Sequence, residues 1–207
     1  VVMSKPYSGM PLDQKRTWVV PRWLKEAFVA FALVAVGAVA VSKAVQHWGG
    51  KAERARNALE ADEMDGAPAA PFRLPTRGGT EVDLSSFRGK PILVNFWATW
   101  CPPCREEMPS LSRLAQSFDP QSFEVVTVSV DEGWEPIDKF FSSAKPRFQV
   151  LLDDGAKISR LYGTTKFPES YLVDKDGKLR LKFVGPRNWM DPNVATLLQS
   201  FGARRKG

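Results

Sequence analysis

The strongest constraint on the fold is a buried-strand pattern that runs into a cysteine turn and then into a helix. Pro91-Ile92-Leu93-Val94-Asn95-Phe96-Trp97 is an almost continuous apolar run, the pattern of a strand covered on both faces. Cys101-Pro102-Pro103-Cys104 follows directly, and beyond it Met108, Leu111, Leu114, Ala115 and Phe118 recur at three- and four-residue steps. That spacing predicts a helix over Pro103–Phe118. The first sulfur is thereby placed at a helix N-terminus, where the positive end of the helix dipole favours thiolate over thiol. A bridge between two cysteines three positions apart closes too short a loop to remove much chain entropy, so the pair is not a structural staple. No second cysteine pair exists and His47 is the sole histidine, so no structural zinc and no other metal site is expected.

Strand and helix signals alternate through the rest of the domain. Phe123–Val130 reads as a second buried strand, Pro136–Ala144 as a short helix, Phe148–Leu152 as a strand and Ala156–Tyr162 as a helix. Ser170–Val173 and Leu179–Val184 form a hairpin around Asp176-Gly177, a strong turn signal. A last helix spans about Asp191 to Phe201. The pattern predicts an α/β domain over 70–203, a mixed central sheet with helices on both faces, and a basic tail at 204–207. With 43% hydrophobic residues in 207, the chain can build a core without cross-links. The excess of 29 Lys and Arg over 23 Asp and Glu is mild. It gathers at the two ends and is set on no recognisable nucleic-acid module, which argues against a nucleic-acid partner.

Ala27–Val41 is uncharged and apolar on all sides, unlike an amphipathic surface helix. Its span of about 22 Å reaches membrane thickness once Trp23, Leu24, Ala44 and Val45 join it and Lys25 and Lys43 snorkel. Trp18, Trp23 and Trp48 sit where an aromatic belt would lie. Residues 23–45 therefore read as one N-terminal transmembrane helix. A long polar lead favours an uncleaved signal anchor over a signal peptide cut after Ala38-Val39-Ala40 or Ser42-Lys43-Ala44. No cysteine follows the run, which rules out a lipoprotein anchor. Lys5, Lys15, Arg16, Arg22 and Lys25 ahead of it place 1–22 in the cytoplasm and the domain outside the cytoplasmic membrane, on the periplasmic side. Lys43, Lys51, Arg54 and Arg56 beyond the run weaken that asymmetry. Residues 46–69, polar and alanine-rich with Gly-Ala-Pro-Ala-Ala-Pro at 66–71, read as a spacer.

Asn95-Phe96-Trp97-Ala98-Thr99-Trp100-Cys101-Pro102-Pro103-Cys104-Arg105-Glu106-Glu107-Met108-Pro109 resembles the active-site segment of membrane-anchored, thioredoxin-like thiol-disulfide oxidoreductases of the TlpA/ResA type. The resemblance covers roughly Ala70 to Phe201. It implies a thioredoxin-like fold, a redox-active Cys101–Cys104 disulfide with Cys101 as nucleophile and Cys104 as resolving thiol, and no cofactor. Phe167-Pro168-Glu169 matches the family's cis-proline loop, which takes up substrate backbone beside Trp100 and Pro102. Where ordinary thioredoxins carry a buried aspartate this chain has Asn95, which cannot accept the Cys104 proton. The resemblance offers Glu107, three residues past the second cysteine, and Glu169, after the cis proline. Either carboxylate, if desolvated, would have a raised pKa and take that proton; if solvated, neither would.

Reduction of disulfides in exported proteins is the implied activity, with apocytochrome c as a target and a membrane thiol donor of the CcdA/DsbD type as the electron source. Pro102 and Pro103 remove two N–H donors from the sulfur, and Glu106 and Glu107 oppose its charge. A modestly lowered Cys101 pKa and a reducing couple are expected. A peroxiredoxin-like peroxidase would want a PxxxTxxC site, but residues 94 and 98 are Val and Ala. A copper chaperone of related fold would want a histidine in the domain, and none is there. Trp134 and Trp189 read as packing residues. Asp131, Glu132 and Glu135 read as a solvated loop, and His47 as an interfacial residue without chemistry.

Overall fold

The computed structural model describes residues 21–143 and 145–207. The expected positions of Trp18, of Lys5, Lys15 and Arg16, of the side chains of Arg22, Leu24, Lys25 and Trp48, and of the helix end at Ala144 lie outside the described residues. The chain divides into two compact units, Val1–Val45 and Gln46–Gly207.

In the first unit the described residues belong to helix α1, Arg22–Ala58, which continues into the second. Phe28, Phe31, Val34, Val39 and Val45 are all exposed. Among the described residues, this is the one helix long and apolar enough to cross a membrane.

The second unit is built on a six-stranded mixed sheet. Its strands are β1 (Asp62–Glu63), β4 (Ile92–Trp97), β5 (Glu124–Ser129), β6 (Gln149–Leu152), β7 (Glu169–Val173) and β8 (Leu179–Val184), in the spatial order β1-β8-β7-β4-β5-β6. β4 pairs in parallel with β5, and β5 with β6, while β7 runs antiparallel to both β4 and β8. Every residue of β4 is buried, as its apolar run requires. The remaining helices are α2 (Pro102–Ser117), α3 (Glu135–Phe140), α4 (Lys157–Leu161) and α5 (Pro192–Ser200).

Strand alternation divides the core into two clusters. Leu93 and Trp97 of β4 share one face with Leu111 of α2 and Leu197 of α5. Ile92, Val94 and Phe96 face the other way, against Tyr162 and the short hairpin of β2 (Arg73–Pro75) and β3 (Glu81–Asp83). That small second sheet was not foreseen; Pro75 and strands of three residues carry almost no periodic signal. The β7–β8 turn is as expected, with Gly177 at φ +72° between Asp174 and Lys178.

The stretch expected as a spacer is corrected over much of its length. Ala55, Leu59 and Ala61 are buried in the α2-side cluster, and β1 adds Asp62 and Glu63 to the edge of β8. Ala69 is buried in the opposite cluster. Small alanines conceal their burial in a polar-looking sequence. Leu59→Ala is therefore expected to destabilise the protein by about 2–4 kcal/mol in urea unfolding; a free spacer would lose nothing measurable.

Candidate functional site

β4 delivers the chain to the cysteine turn, and a buried carboxylate fixes how it leaves the strand. Asp131, at the end of the neighbouring strand, accepts hydrogen bonds from the Thr99 N–H at 3.0 Å, the Thr99 hydroxyl at 2.7 Å and the Ser129 hydroxyl at 2.6 Å. The reading of Asp131 as a solvated loop residue is thus corrected. It sits beside a strand end whose backbone donors need an acceptor.

Cys101 is the N-cap of α2, and its sulfur accepts from the Cys104 N–H at 3.3 Å. Pro102 and Pro103 occupy the first two helical positions, where a missing N–H costs least. The two cysteines are joined as a disulfide with Cα atoms 5.3 Å apart. Cys101 keeps 5% exposure and Cys104 none, so the first sulfur is the one a partner reaches. Beside it Trp100 stands 64% exposed, with its ring 5.9 Å from that of Phe167. The Phe167–Pro168 bond is cis, and the Pro168 carbonyl accepts from the Gly185 N–H. Trp100, next in the chain to Cys101, and Phe167 against it thus form a partly exposed aromatic pair beside the cysteine turn.

Behind the disulfide lies Glu107. Buried positions 104, 107, 108, 111 and 114 of α2 form one inward stripe, which places Glu107 one turn past Cys104 at 3% exposure. Its Oε1 accepts from Asn95 Nδ2 at 2.8 Å, and its Oε2 from Trp189 Nε1 at 3.1 Å and the Arg187 N–H at 3.2 Å. Burial pushes its pKa up to about 7, against the pull of those three donors and of the Arg187 charge. Asn95 also donates to Ser170 Oγ at 2.9 Å, while its own Oδ1 is buried without a partner. A half-turn of that amide would offer Oδ1 to a protonated Glu107, so the pocket suits both charge states. The Arg187 guanidinium stacks over Phe183 and Trp189 and donates to the carbonyls of Leu59 and Val184, which holds the 187–189 segment over Glu107.

Cys101, Cys104, Trp100, Pro102, Phe167 and Glu107 are thus gathered around one helix start. Glu169 is not. It opens β7 opposite Phe96, and that register turns it to the face away from Asn95, Ser170 and Glu107. There it is buried, ion-paired to Lys182 at 3.0 Å and accepting from the Tyr171 hydroxyl at 2.9 Å. Trp189, expected only to pack, both packs on Phe183 and donates to Glu107. Asp131 and Arg187 were missed as site residues. Of the buried cluster, the resemblance had pointed in advance to Glu107 and to Asn95.

Residues 66–182, more than half of the chain, match the AhpC/TSA family. The chain belongs to the AhpC/TSA family. It is 34% identical over 114 residues to the thiol-disulfide oxidoreductase ResA of Bacillus thuringiensis subsp. konkukian, 55% of this chain and 66% of that one. It is 33% identical over 120 residues to ResA of Bacillus anthracis, 58% and 69% of the two chains. The chain therefore spans about two thirds of these relatives' length. Among solved structures it resembles a Chlorobium tepidum protein described as a candidate thiol:disulfide interchange protein DsbE. The TM-score is 0.61 and the identity 32%, over 68% of this chain and 99% of that one. The thioredoxin domain of a Bacteroides vulgatus thiol-disulfide oxidoreductase aligns with a TM-score of 0.58 and 27% identity, over 68% and 99%. This AhpC/TSA-family protein is a thiol-disulfide oxidoreductase of thioredoxin-like fold.

Proposed function

We propose that this oxidoreductase runs as a reductant of disulfides in exported proteins, anchored by its N-terminal helix with the catalytic unit on the extracytoplasmic side. The observation that carries this reading is the arrangement of Cys101 with an exposed edge at the start of α2, Cys104 enclosed behind it and the buried Glu107 one turn on: a carboxylate poised near neutrality serves the step in which the second thiol must lose its proton. In the dithiol form the Cys101 thiolate attacks one sulfur of a substrate disulfide, forming a mixed disulfide and releasing one substrate thiolate. The Cys104 thiol gives its proton to Glu107 and attacks the Cys101 sulfur. The Cys101–Cys104 disulfide forms and the second substrate thiolate leaves. Two electrons pass from the protein dithiol to the substrate, whose two thiolates take up one proton from Glu107 and one from solvent, into which Cys101 released its own on ionising. A membrane dithiol donor of the CcdA/DsbD type would return the pair to its reduced state. Apocytochrome c, whose haem-binding thiols must be reduced, fits such a reductant as a substrate.

A peroxidase reading draws on the family's breadth, but Val94 and Ala98 stand where a peroxidatic site needs proline and threonine. The full-length protein in detergent, driven by dithiothreitol, is expected to accelerate insulin reduction while consuming hydroperoxide no faster than its Cys101→Ala variant. Rapid peroxide consumption with insulin untouched would replace this reading with the peroxidase.

A further inference from the structure

A groove of about 390 Å³ runs along α2, between that helix and residues 140–143 and 145–148. Its apolar floor is Met108 with Phe140, Phe141 and Phe148, three half-buried phenylalanines stacked edge to face and continuing to Trp97 beneath. Its rim is cationic: Arg105, Arg113 and Lys145 line it, and no acidic residue does. Elsewhere on the unit some surface cations are paired, as Arg77 is with Asp138, Lys90 with Glu124 and Arg204 with Asp119, and others among the described residues stand singly. Arg105, Arg113 and Lys145 make no ion pair among the described residues.

We propose that this groove docks an extended segment of the disulfide-bearing partner protein, apolar side chains on its floor and carboxylates against its rim. The inference rests on the reading of the chain as a protein disulfide reductase. Three cations around solvent-facing apolar surface are complementary to a partner that is both apolar and acidic. The groove's length fits a peptide. From Arg105 to Gln116 along α2 is about 16 Å, the span of about five extended residues. It begins at the residue after Cys104, so a chain whose cystine meets Cys101 has its flanking residues at the groove mouth. The groove thereby selects among substrates by the sequence beside their disulfide.

The test uses full-length protein in detergent and two synthetic peptides that share one internal disulfide. One carries a five-residue flank alternating phenylalanine or leucine with glutamate; the other has lysine in place of glutamate. Arg105 is left intact because it adjoins Cys104. The acidic-flanked peptide is expected to be reduced about tenfold more efficiently in kcat/KM than the lysine-flanked one. The double variant Arg113→Glu, Lys145→Glu is expected to erase or reverse that preference while reducing a small flankless disulfide at the parent rate. Equal rates for the two peptides, or a preference unchanged in the double variant, would overturn the proposal. So would loss of binding to anionic vesicles in the double variant with its peptide preference intact, which would make the groove a lipid contact. If no disulfide is reduced, it is the reductase reading that fails. The groove is then judged by fluorescence anisotropy with disulfide-free versions of the same flanks: a tenfold tighter acidic flank upholds it, and equal binding removes it.

Discussion

Cys101→Ala is expected to lose disulfide reductase activity by at least about a thousandfold, whereas Cys104→Ala should stop one step later and accumulate mixed disulfides. The difference follows from which sulfur a partner reaches. Cys101 caps α2 and keeps a small exposed edge beside Trp100, while Cys104 is enclosed. Removing the first leaves no sulfur that a substrate can reach. Removing the second leaves a nucleophile that attacks and cannot be released, so a dithiothreitol-sensitive adduct should appear on a non-reducing gel with Cys104→Ala and be absent with Cys101→Ala. Turnover surviving in Cys101→Ala would end the mechanism outright.

The parts of this protein legible in its sequence are those where one residue's neighbours on the chain set its environment. β4 is apolar at nearly every position and is buried at every position; α2 shows its inward stripe at helical spacing; the Asp176-Gly177 turn lies where its dipeptide requires. The illegible parts depend on partners distant along the chain. Asp131 reads as one acid among three until the backbone and hydroxyl donors of Thr99, 32 residues earlier, join the Ser129 hydroxyl on it and give it a reason to be buried. Ala55 and Leu59 look like spacer residues until the α2-side core covers them. Glu107 and Glu169 were both offered as proton acceptors, one for following the cysteine motif and the other for following the cis proline, and strand parity separates them. Ser170 shares a face with Asn95 and Glu107, so its neighbour Glu169 must point the other way, into an ion pair with Lys182. The same parity explains why Asn95 stands in a strand otherwise apolar: it is the inward polar residue that meets the buried acid.

Glu107→Gln should therefore change two pH profiles at once, and in opposite senses. The ordinary glutamate pKa is 4.5 and burial raises that of Glu107 to about 7. Below pH 4.5 the carboxyl is protonated in folded and unfolded chains alike, and the folded state carries no penalty. As the pH rises from 4.5 to 7 the unfolded chain ionises while the folded one holds its proton, so stability falls. By pH 8 the loss sums to about 3 kcal/mol at 1.36 kcal/mol per pKa unit. The glutamine variant has no proton to hold and keeps the hydrogen-bonding shape. In urea unfolding of the disulfide form it should run nearly flat across that window and gain on the parent as the pH rises. Activity should move the other way. Above pH 7 the parent's carboxylate takes the Cys104 proton, so the resolving step quickens through pH 7; the variant lacks that acceptor and should resolve about 10²-fold more slowly. Attack by Cys101, read from the burst of mixed disulfide in single turnover, should be little affected, because Glu107 touches neither that sulfur nor the incoming partner. A residue that merely packs against α2 would lower both steps together and leave the inflection near pH 7 in place. Identical pH slopes in parent and variant, for unfolding and for resolution, would remove Glu107 from the chemistry.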